Sequence, residues 1–285
     1  MRGLIFAIEE MAVHDGPGLR ACIFFKGCPL RCQWCHNPEG WDAHPRRVKS
    51  PNGCLHCGRC HLPCESKCTG CGGCLSRCPR GLLRVSGKYW QPTDLARRVH
   101  RLDPILMDGG VTVSGGEPLM QAQFLTELLP LLSPLHRAME TSGFAPADDF
   151  RQVLDHLELV YFDLKVMDEE KHKYFTGVSN APILNNLSIL KHSGVPFIVR
   201  VPFISGVNDD EANLLATLRA VEDAPNLQRV ELLPYNTMAG SKYPLVGLSY
   251  PHTFTQPTPD TITSAQALFE SHSIPCLVRS QAVAK

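Results

Sequence analysis

The 285-residue sequence has no excess of charge of either sign and no long apolar run. Lysine plus arginine and aspartate plus glutamate number 28 each, so the composition lacks the basic excess of nucleic-acid-binding proteins. No stretch of 18 consecutive apolar residues is present, and the segment that begins with Met1 lacks the apolar core of a secretory signal. We therefore expect a cytoplasmic protein with neither a nucleic-acid partner nor a membrane association.

Cysteine, in contrast, is abundant. The chain has 13 cysteines, and all but two fall into three regularly spaced groups. In a secreted chain this number would indicate disulfides, whereas cluster ligands need reduced thiolates and thus a reducing, anaerobic cytoplasm. The two cysteines outside the groups, Cys22 and Cys276, lie in apolar strand patterns and are predicted to be small buried side chains.

The first group, Cys28-x3-Cys32-x2-Cys35, lacks a fourth cysteine. Three thiolates can each hold one iron of a [4Fe–4S] cube, and the fourth iron then stays open for a small molecule, as a catalytic metal site requires. The alternative, a zinc knuckle or a redox CxxC motif, fits this spacing less well. The sequence therefore predicts a catalytic [4Fe–4S] cluster held by Cys28, Cys32 and Cys35.

The second and third groups form one block with the spacing of a bacterial two-cluster ferredoxin. In that pattern the fourth cysteine of each run ligates the other cluster. The predicted ligand sets are Cys54, Cys57, Cys60 and Cys78 for one cube, and Cys64, Cys68, Cys71 and Cys74 for the other. Zinc is the weaker alternative because zinc modules usually place two CxxC pairs farther apart. His56 and His61 are alternative ligands inside the block, although polar surface positions are the simpler interpretation.

The rest of the chain alternates short apolar runs with longer amphipathic stretches. The apolar runs predict strands that are buried on both faces, at residues 21–25, 110–114, 137–140, 159–164, 197–201 and 230–233. Helices are predicted at residues 93–101, 119–132, 148–156, 168–175, 182–192 and 209–221. This alternation predicts an α/β fold, a partial (β/α)6 TIM-type barrel with helices outside a parallel sheet. Residues 50–88 are predicted to interrupt the first crossover as a ferredoxin-like insert, which leaves residues 1–49 and 89–285 as the barrel.

Polar motifs follow the predicted strands, where parallel α/β barrels place their chemistry. They are the cysteine triad, Ser114-Gly-Gly-Glu-Pro118, Glu140-Thr-Ser-Gly143, Asp163-Leu-Lys165, Arg200 and Pro234-Tyr-Asn236. Each motif alone is a weak signal, since Gly-Gly-Glu-Pro is usually a turn and Asp-x-Lys is usually a surface pair. Their position at one rim, beside an open cluster, predicts an active site.

These motifs resemble those of the glycyl-radical enzyme activating enzymes, which belong to the radical S-adenosylmethionine (SAM) superfamily. The resemblance covers nearly the whole chain and also includes His14-Asp-Gly-Pro-Gly-x-Arg20, Cys35-His-Asn-Pro-Glu39 and Leu233-Pro-Tyr235. It is closest to the type with a two-cluster ferredoxin insert. The resemblance implies that SAM chelates the open iron through its amino and carboxylate groups. It also implies that one electron splits SAM into methionine and a 5′-deoxyadenosyl radical, which takes hydrogen from a backbone glycine of a partner enzyme.

The resemblance further implies roles for individual residues. The implied contacts to the SAM amino group are Gly115, Gly116 and Glu117, and those to its carboxylate and ribose are Asp163, Lys165 and Arg200. The other implied cofactor-binding residues are Trp34 and Asn236. Relatives often have a histidine at position 236, and a neutral amide cannot titrate. A monovalent cation site is implied at Glu140, Thr141 and Asp163, and contact with the partner's glycyl loop at Asp15, Gly16 and Arg20.

The implied electron donor is a reduced flavodoxin or ferredoxin, and the two insert cubes are interpreted as an electron relay or a docking module. Two other functions stay open. A radical SAM enzyme that acts on a small molecule or RNA would share the triad but would not need the turn at residues 15–18. A ferredoxin-type electron carrier would leave the Gly-Gly-Glu-Pro and Asp-Leu-Lys motifs unexplained. The partner is not identified, although the insert argues against the simplest pyruvate formate-lyase activases, which lack it.

Overall fold

The computed structural model of the chain describes residues 1–61, 68–106 and 108–279. Most strands belong to one sheet of nine, in the order β11-β10-β9-β8-β7-β6-β2-β1-β5. Its members are β1 (Gly3–Ala12), β2 (Arg20–Phe25), β5 (Lys88–Trp90), β6 (Gly110–Gly115), β7 (His136–Thr141), β8 (Leu159–Asp163), β9 (Phe197–Phe203), β10 (Leu227–Pro234) and β11 (Cys276–Val278). A separate antiparallel pair consists of β3 (Arg46–Lys49) and β4 (Leu83–Ser86).

Eight α-helices lie between or after these strands in the described residues. They are α1 (Pro92–His100), α2 (Asp103–Leu106), α3 (Ala122–Leu128), α4 (Ala147–Leu154), α5 (Glu169–Thr176), α6 (Ala181–Lys191), α7 (Glu211–Val221) and α8 (Pro259–Ser271). Two of them begin at an aspartate whose carboxylate accepts a backbone N–H of the first turn. Asp168 accepts from Lys171 and Asp210 accepts from Asn213, both at 2.8 Å, which satisfies donors that a helix start leaves unpaired.

The six predicted strands form the centre of the sheet, and each pairs in parallel with its neighbour from β2 through β10. Alternate residues pack on opposite faces, as strand geometry requires. Met139 and Phe162 contribute to the core beneath the helices, whereas Ala138 and Tyr161 form a smaller cluster on the other face. The prediction of an α/β fold with a mainly parallel sheet is confirmed.

Three strands extend the sheet beyond the predicted six. β1 and β5 add an antiparallel edge beside β2, and β11 adds a further parallel strand beside β10. None of the three has a clear strand pattern in the sequence. β1 ends in the mixed segment Glu9-Glu10-Met11, and β11 is only three residues long. The helix α8 before β11 was not predicted either.

Residues far apart in the strand order contact each other across the inner face of the sheet, which shows that the sheet is curved. The Arg200 guanidinium on β9 donates to the backbone carbonyl of His14, in the turn between β1 and β2, at 3.0 Å. Three strands separate β9 from β2 in the sheet. The contact therefore crosses the concave interior of an open, partial barrel.

The cysteine-rich segment leaves the main sheet after β2 and returns to it at β5. The β3–β4 pair brackets it, and the described part of the segment contains two short 3₁₀ turns, at Arg59–His61 and Leu75–Arg77. The boundary of a separate insert at residues 50–88 stays a prediction. Elsewhere, Cys22 and Cys276 are 0% and 2% exposed, so the prediction that both are buried is confirmed. None of the helices in the described ranges has the length and apolarity needed to cross a bilayer.

Candidate functional site

A cavity of about 540 Å³ lies at the carboxyl ends of the parallel strands. The structure brings together around it most of the residues that the sequence singled out. Those in its lining are Asp15, Cys28, Cys32, Trp34, Cys35, Gly115, Gly116, Glu117, Glu140, Thr141, Asp163, Lys165, Arg200 and Asn236. Side chains on the inner face of neighbouring strands come close because the strands pair in register. Asp163 on β8, for example, stands directly opposite Arg200 on β9.

The loop with the three cysteines is fixed on two sides by backbone hydrogen bonds. On one side, the Cys28 N–H donates to the carbonyl of Trp41 at 3.3 Å. On the other side, the Arg31 N–H donates to the carbonyl of Thr176 at 2.7 Å, which ties the loop to the end of α5. Within the loop, the Asn37 N–H points to the Cys35 sulfur at 3.4 Å. Such N–H···S contacts tune the potential of a bound cluster.

The three thiols fit a cluster with an open iron. Burial raises the pKa of Cys28, raises that of Cys32 to about 12, and raises that of Cys35, so binding of iron would displace a proton from each. No three His, Cys, Asp or Glu side chains of residues 1–61, 68–106 and 108–279 are placed to hold a single metal ion. In a cube each thiolate holds a different iron. Over those same ranges, no fourth cysteine lines the cavity.

The Gly115–Gly116 turn lies against the end of β2 too closely for any side chain. Gly115 has φ +126°, and a Cβ there would lie 2.3 Å from the backbone nitrogen of Phe25. A Cβ on Gly116 would lie 2.3 Å from the carbonyl oxygen of Gly27. The Gly116 N–H donates to the Phe25 carbonyl at 2.8 Å. Both glycines are therefore required for the approach of one strand end to the other.

Glu117 is almost fully buried and connects two strand ends. Its carboxylate accepts hydrogen bonds from the Thr141 hydroxyl (2.6 Å), the Ser142 hydroxyl (2.6 Å) and the Ser142 N–H (2.8 Å), and from the Leu119 N–H (3.1 Å). Burial raises the pKa of Glu117, and the bonds from Ser142 and Thr141 partly oppose this shift. The side chain thus holds the turn after β6 against the end of β7.

Two ion pairs supply charge to the cavity wall. Lys165 Nζ lies 2.9 Å from an Asp163 carboxylate oxygen. Burial alone would lower the pKa of Lys165, but Asp163 and then the Cys32 sulfur raise it above its ordinary value, so the ammonium stays charged. Arg200 pairs with Glu140, which also accepts the Ser114 hydroxyl at 2.7 Å. The Arg200 guanidinium lies over the Tyr161 ring, 3.9 Å from its centroid.

Sequence reasoning missed the carboxylate of Glu231, which holds Arg200 from the other side. Arg200 Nε lies 3.1 Å from Glu231, and Arg229 and Arg279 approach the same carboxylate at 2.6 and 2.8 Å. Glu231 is 0% exposed. A charged residue inside the apolar run of β10 was the signal that could have found it.

The predicted cation site is built from residues that have other partners in the structure. Glu140 pairs with Arg200, Asp163 pairs with Lys165, and Thr141 donates to Glu117. All three line the same cavity. A bound monovalent cation would need to share these carboxylates with the two basic side chains, and the site stays a prediction.

In the turn that was predicted to contact the partner's glycyl loop, Asp15 and Arg20 have different surroundings. Asp15 lines the cavity, whereas Arg20 is 0% exposed and lies below it. Arg20 donates to the Thr112 hydroxyl at 2.7 Å and to the carbonyl of Pro17 at 3.0 Å, and the Thr112 hydroxyl donates to the Asp15 carbonyl at 2.6 Å. A Cβ on Gly16 would lie 2.5 Å from the Arg20 side chain. Arg20 therefore fixes the turn from inside and does not face a partner.

Trp34 and Asn236 complete the cavity wall. Trp34 is buried against Phe175 and Phe254, with ring centroids 6.0 and 6.2 Å away. The Asn236 side-chain oxygen accepts the N–H of Met238 at 2.9 Å. This bond orients the side-chain amide of Asn236 and leaves its NH2 group as the only hydrogen-bond donor of that side chain.

In the cysteine-rich segment, a cavity of about 80 Å³ is lined by Cys54, Cys57, Cys60 and Cys78. These are the four cysteines that the sequence assigned to one cube. Backbone N–H groups of His56 and Leu82 point to the sulfurs of Cys54 and Cys78, each at 3.4 Å, and lower the pKa of both thiols.

The second predicted cube is described only in part. Of its ligands, the structure describes Cys68, Cys71 and Cys74, and Cys64 lies outside the described residues. Among the alternative ligands, His56 lines the cavity of the first set, whereas the His61 side chain also lies outside what is described. The assignment of ligands to the two insert cubes stays a prediction.

The chain resembles known proteins over most of its length. The model of the radical SAM superfamily matches residues 22–218. The 4-hydroxyphenylacetate decarboxylase activating enzyme of Clostridium scatologenes is 33% identical, over 97% of this chain and 97% of its own length. The isethionate sulfite-lyase activating enzyme of Desulfovibrio desulfuricans is 35% identical over 88% of both chains. The choline trimethylamine-lyase activating enzyme of Oleidesulfovibrio alaskensis is 35% identical over 88% of this chain and 89% of its own.

Solved structures agree with this grouping. A domain of the pyruvate-formate lyase-activating enzyme from Bacteroides vulgatus matches with a TM-score of 0.52 and 27% identity, over 60% of this chain and 99% of that one. QueE from Escherichia coli matches with a TM-score of 0.52 over 98% of this chain and 95% of its own, at 12% identity, which concerns the fold alone. The chain belongs to the radical SAM superfamily and, within it, to the glycyl-radical enzyme activating enzymes.

Proposed function

We propose that this chain converts a partner enzyme to its glycyl-radical form by reductive cleavage of SAM at a cluster held by Cys28, Cys32 and Cys35. One observation carries the proposal. The three thiols share a single cavity of about 540 Å³ with polar groups from the ends of five other strands. Relatives of similar length are activating enzymes, which favours this function over chemistry on a small molecule or RNA and over electron transport alone.

The chain's own residues bind and orient SAM in this proposal. When bound, the cluster supplies the electron that breaks the S–C5′ bond of SAM, and the resulting 5′-deoxyadenosyl radical removes a hydrogen atom from the partner's glycine. The Gly115–Gly116 turn lines the same cavity as the cluster loop, so its backbone lies within reach of a ligand bound there. The Asp163–Lys165 pair places a carboxylate and an ammonium, 2.9 Å apart, where a zwitterionic ligand can meet both.

Arg200 and Glu140 form the far wall of the site. Arg200 is held by Glu231, Glu140 and the Tyr161 ring, so its guanidinium is pre-organised for a carboxylate or a ribose hydroxyl. We propose that Asp15 and its turn contact the partner's glycyl loop, with Arg20 as the positioning residue beneath. A monovalent cation bound at Glu140, Thr141 and Asp163 would add positive charge beside the SAM carboxylate.

The cysteine-rich segment holds two further [4Fe–4S] clusters in this proposal, for a total of three. The grouping of Cys54, Cys57, Cys60 and Cys78 around one cavity supports the first of them. These clusters would supply a path for electrons from a reduced flavodoxin or ferredoxin toward the catalytic cluster.

The relatives narrow the class of partner. Their names refer to a decarboxylase, a sulfite-lyase and a trimethylamine-lyase. We propose that the partner of this chain is likewise a glycyl-radical decarboxylase or a lyase of C–S or C–N bonds.

The test measures whether a hydrogen atom moves from the partner's glycine to 5′-deoxyadenosine. The reduced enzyme is incubated with SAM and with a partner, or a peptide of its glycyl segment, deuterated at the glycine Cα. We expect deuterium in the 5′-deoxyadenosine, because the radical takes the atom directly and near-attack distances are about 3–3.5 Å. A peptide with alanine in place of the glycine is the control and should give unlabelled product. Unlabelled nucleoside in the presence of an authentic partner would reject the proposal in favour of small-molecule chemistry.

A further inference from the structure

The charge of this chain is unevenly distributed. Residues 43–93 contain nine lysines and arginines and one acidic residue, Glu65, a net charge of +8 in a chain whose total is zero. The rest of the chain therefore carries −8. Each bound cube with its four thiolates adds a net negative charge of about 2, so this segment stays positive with two cubes in place.

Several of these basic side chains lie around one of the two cysteine sets. Lys49, Arg59 and Arg80 line the cavity of Cys54, Cys57, Cys60 and Cys78, and Arg77 is exposed in the turn before Cys78. We call Lys49, Arg59, Arg77 and Arg80 the basic rim. None of the four forms an ion pair with another described residue, whereas Arg46 and Arg84 in the same segment pair with Asp42 and Glu39.

An exposed apolar side chain shares this cavity with three residues of the basic rim. Leu55 also lines the cavity of the four cysteines and is 59% exposed. A small apolar centre surrounded by unpaired charge of one sign is the pattern of a transient protein interface, in which charge guides the encounter and sets the orientation.

We propose that the basic rim docks a small acidic one-electron carrier protein, and that electrons enter this enzyme through the cube of Cys54, Cys57, Cys60 and Cys78. The inference rests on the proposed function, because it requires that cube to be present. In each transfer the reduced carrier loses one electron and the cube gains one, and no bond forms or breaks. Three of the four rim residues, Lys49, Arg59 and Arg80, line the same cavity as the sulfur ligands, so a carrier bound there has its own redox centre close to the cube.

A nucleic acid is the other class of acidic ligand that a basic surface could bind. The position of the rim favours a carrier, because a nucleic acid has no need for contact with a redox centre. The rim is also confined to the cysteine segment, while the remainder of the chain, with its net charge of −8, would repel an extended polyanion.

The test compares binding and reduction in matched variants of the enzyme with its clusters in place. Oxidised flavodoxin serves as the acidic probe, and its Kd is measured by calorimetry at low and at higher salt. In the variant R59E/R80E we expect the Kd to rise by at least about tenfold at low salt and to lose most of its salt dependence. R59K/R80K keeps the charge and should bind as the original chain does. R101E/R219E reverses two exposed arginines outside the segment and should also bind normally.

Reduction by dithionite, which needs no docking, separates this inference from the proposed function. SAM cleavage by the original chain with dithionite tests the proposed function alone. With that activity present, R59E/R80E should lose at least about tenfold more rate with flavodoxin than with dithionite.

Three results would overturn the docking inference. They are a Kd for flavodoxin that R59E/R80E does not change, a rim that binds an RNA oligonucleotide but not flavodoxin, and an equal loss of rate with both reductants accompanied by loss of iron. The last would assign the arginines to cluster binding.

Discussion

The carboxylate of Glu117 accepts hydrogen bonds from both the backbone nitrogen and the hydroxyl of Ser142, at 2.8 and 2.6 Å. Glu117 follows the glycine turn after β6, and Ser142 follows the last residue of β7. The pair therefore sets the distance between two strand ends that both line the large cavity. A carboxylate that the family resemblance associates with SAM has, in the structure, a full set of protein donors.

Replacement of Glu117 by glutamine tests this role. The amide would present its NH2 group to donors of Ser142 or Thr141, which leaves buried groups unpaired, so we expect the free energy of unfolding to fall by about 1–3 kcal/mol. Denaturant unfolding measures the change. Glu222→Gln alters an exposed side chain and should change stability by less than about 0.5 kcal/mol. Equal effects of the two substitutions would show that Glu117 is not a structural link.

Gly115→Ala should disrupt the same turn by steric overlap. The added Cβ would lie 2.3 Å from the Phe25 nitrogen, so the strand end must move, at a cost of at least about 3 kcal/mol. Gly194→Ala is the matched control, because Gly194 also has a positive φ (+78°) but nothing within 4 Å of the added atom. There we expect a loss of only about 1 kcal/mol. SAM affinity, measured by equilibrium binding, should fall in the first variant and not in the second.

Local sequence patterns predicted the centre of the fold but not its edges. β2 and β6 to β10 each contain a short, mainly apolar segment, because the middle of each strand is buried. β1 has one well-buried half and one half with Glu9 and Glu10, so no single periodicity describes it. α8 and β11 depend on packing against the rest of the fold, and a strand of three residues is too short to show a periodic sequence pattern.

The residues that line the large cavity could be predicted from the sequence where they lie at the carboxyl ends of parallel strands. Parallel strands bring their carboxyl ends to one edge, so Asp163 and Arg200 could be expected to meet. The position of Arg20 could not, since it depends on a turn that folds back inside the barrel and on hydrogen bonds to Thr112 and Pro17. Glu231 escaped notice because the predicted run at residues 230–233 is otherwise apolar.

The cluster assignment predicts the iron content of the chain. Three cubes give about 12 irons per anaerobically reconstituted chain, and replacement of Cys28, Cys32 and Cys35 by alanine should leave about eight. The same variant should form no 5′-deoxyadenosine from SAM. Replacement of the eight cysteines of the insert is the reciprocal control and should leave about four irons that still bind SAM. A preparation that saturates near four irons and contains zinc would contradict the ferredoxin assignment, and a triad variant that still cleaves SAM would contradict the site.

The environment of Glu231 predicts that the free energy of unfolding depends on pH. Burial by itself would raise the pKa of Glu231, but Arg200 and the bonds from Arg229 and Arg279 lower it below its ordinary value of 4.5. Because the folded-state pKa lies below the unfolded one, Glu231 stabilises the fold above about pH 4.5, and this contribution is lost as pH falls through the folded-state value.

In Glu231→Gln that contribution is absent, so the free energy of unfolding should fall by about 3 kcal/mol at neutral pH and should decline less steeply under acid. Urea unfolding of the metal-free chain between pH 3 and pH 7, roughly the range over which carboxylates titrate, measures both effects without interference from acid-labile clusters. Glu222→Gln should keep the acid profile of the original chain. In the holoenzyme, loss of the carboxylate also frees Arg200 on one side, so KM for SAM should rise more than kcat falls. An unchanged acid profile in Glu231→Gln would mean that the three arginines do not hold this carboxylate in its charged form.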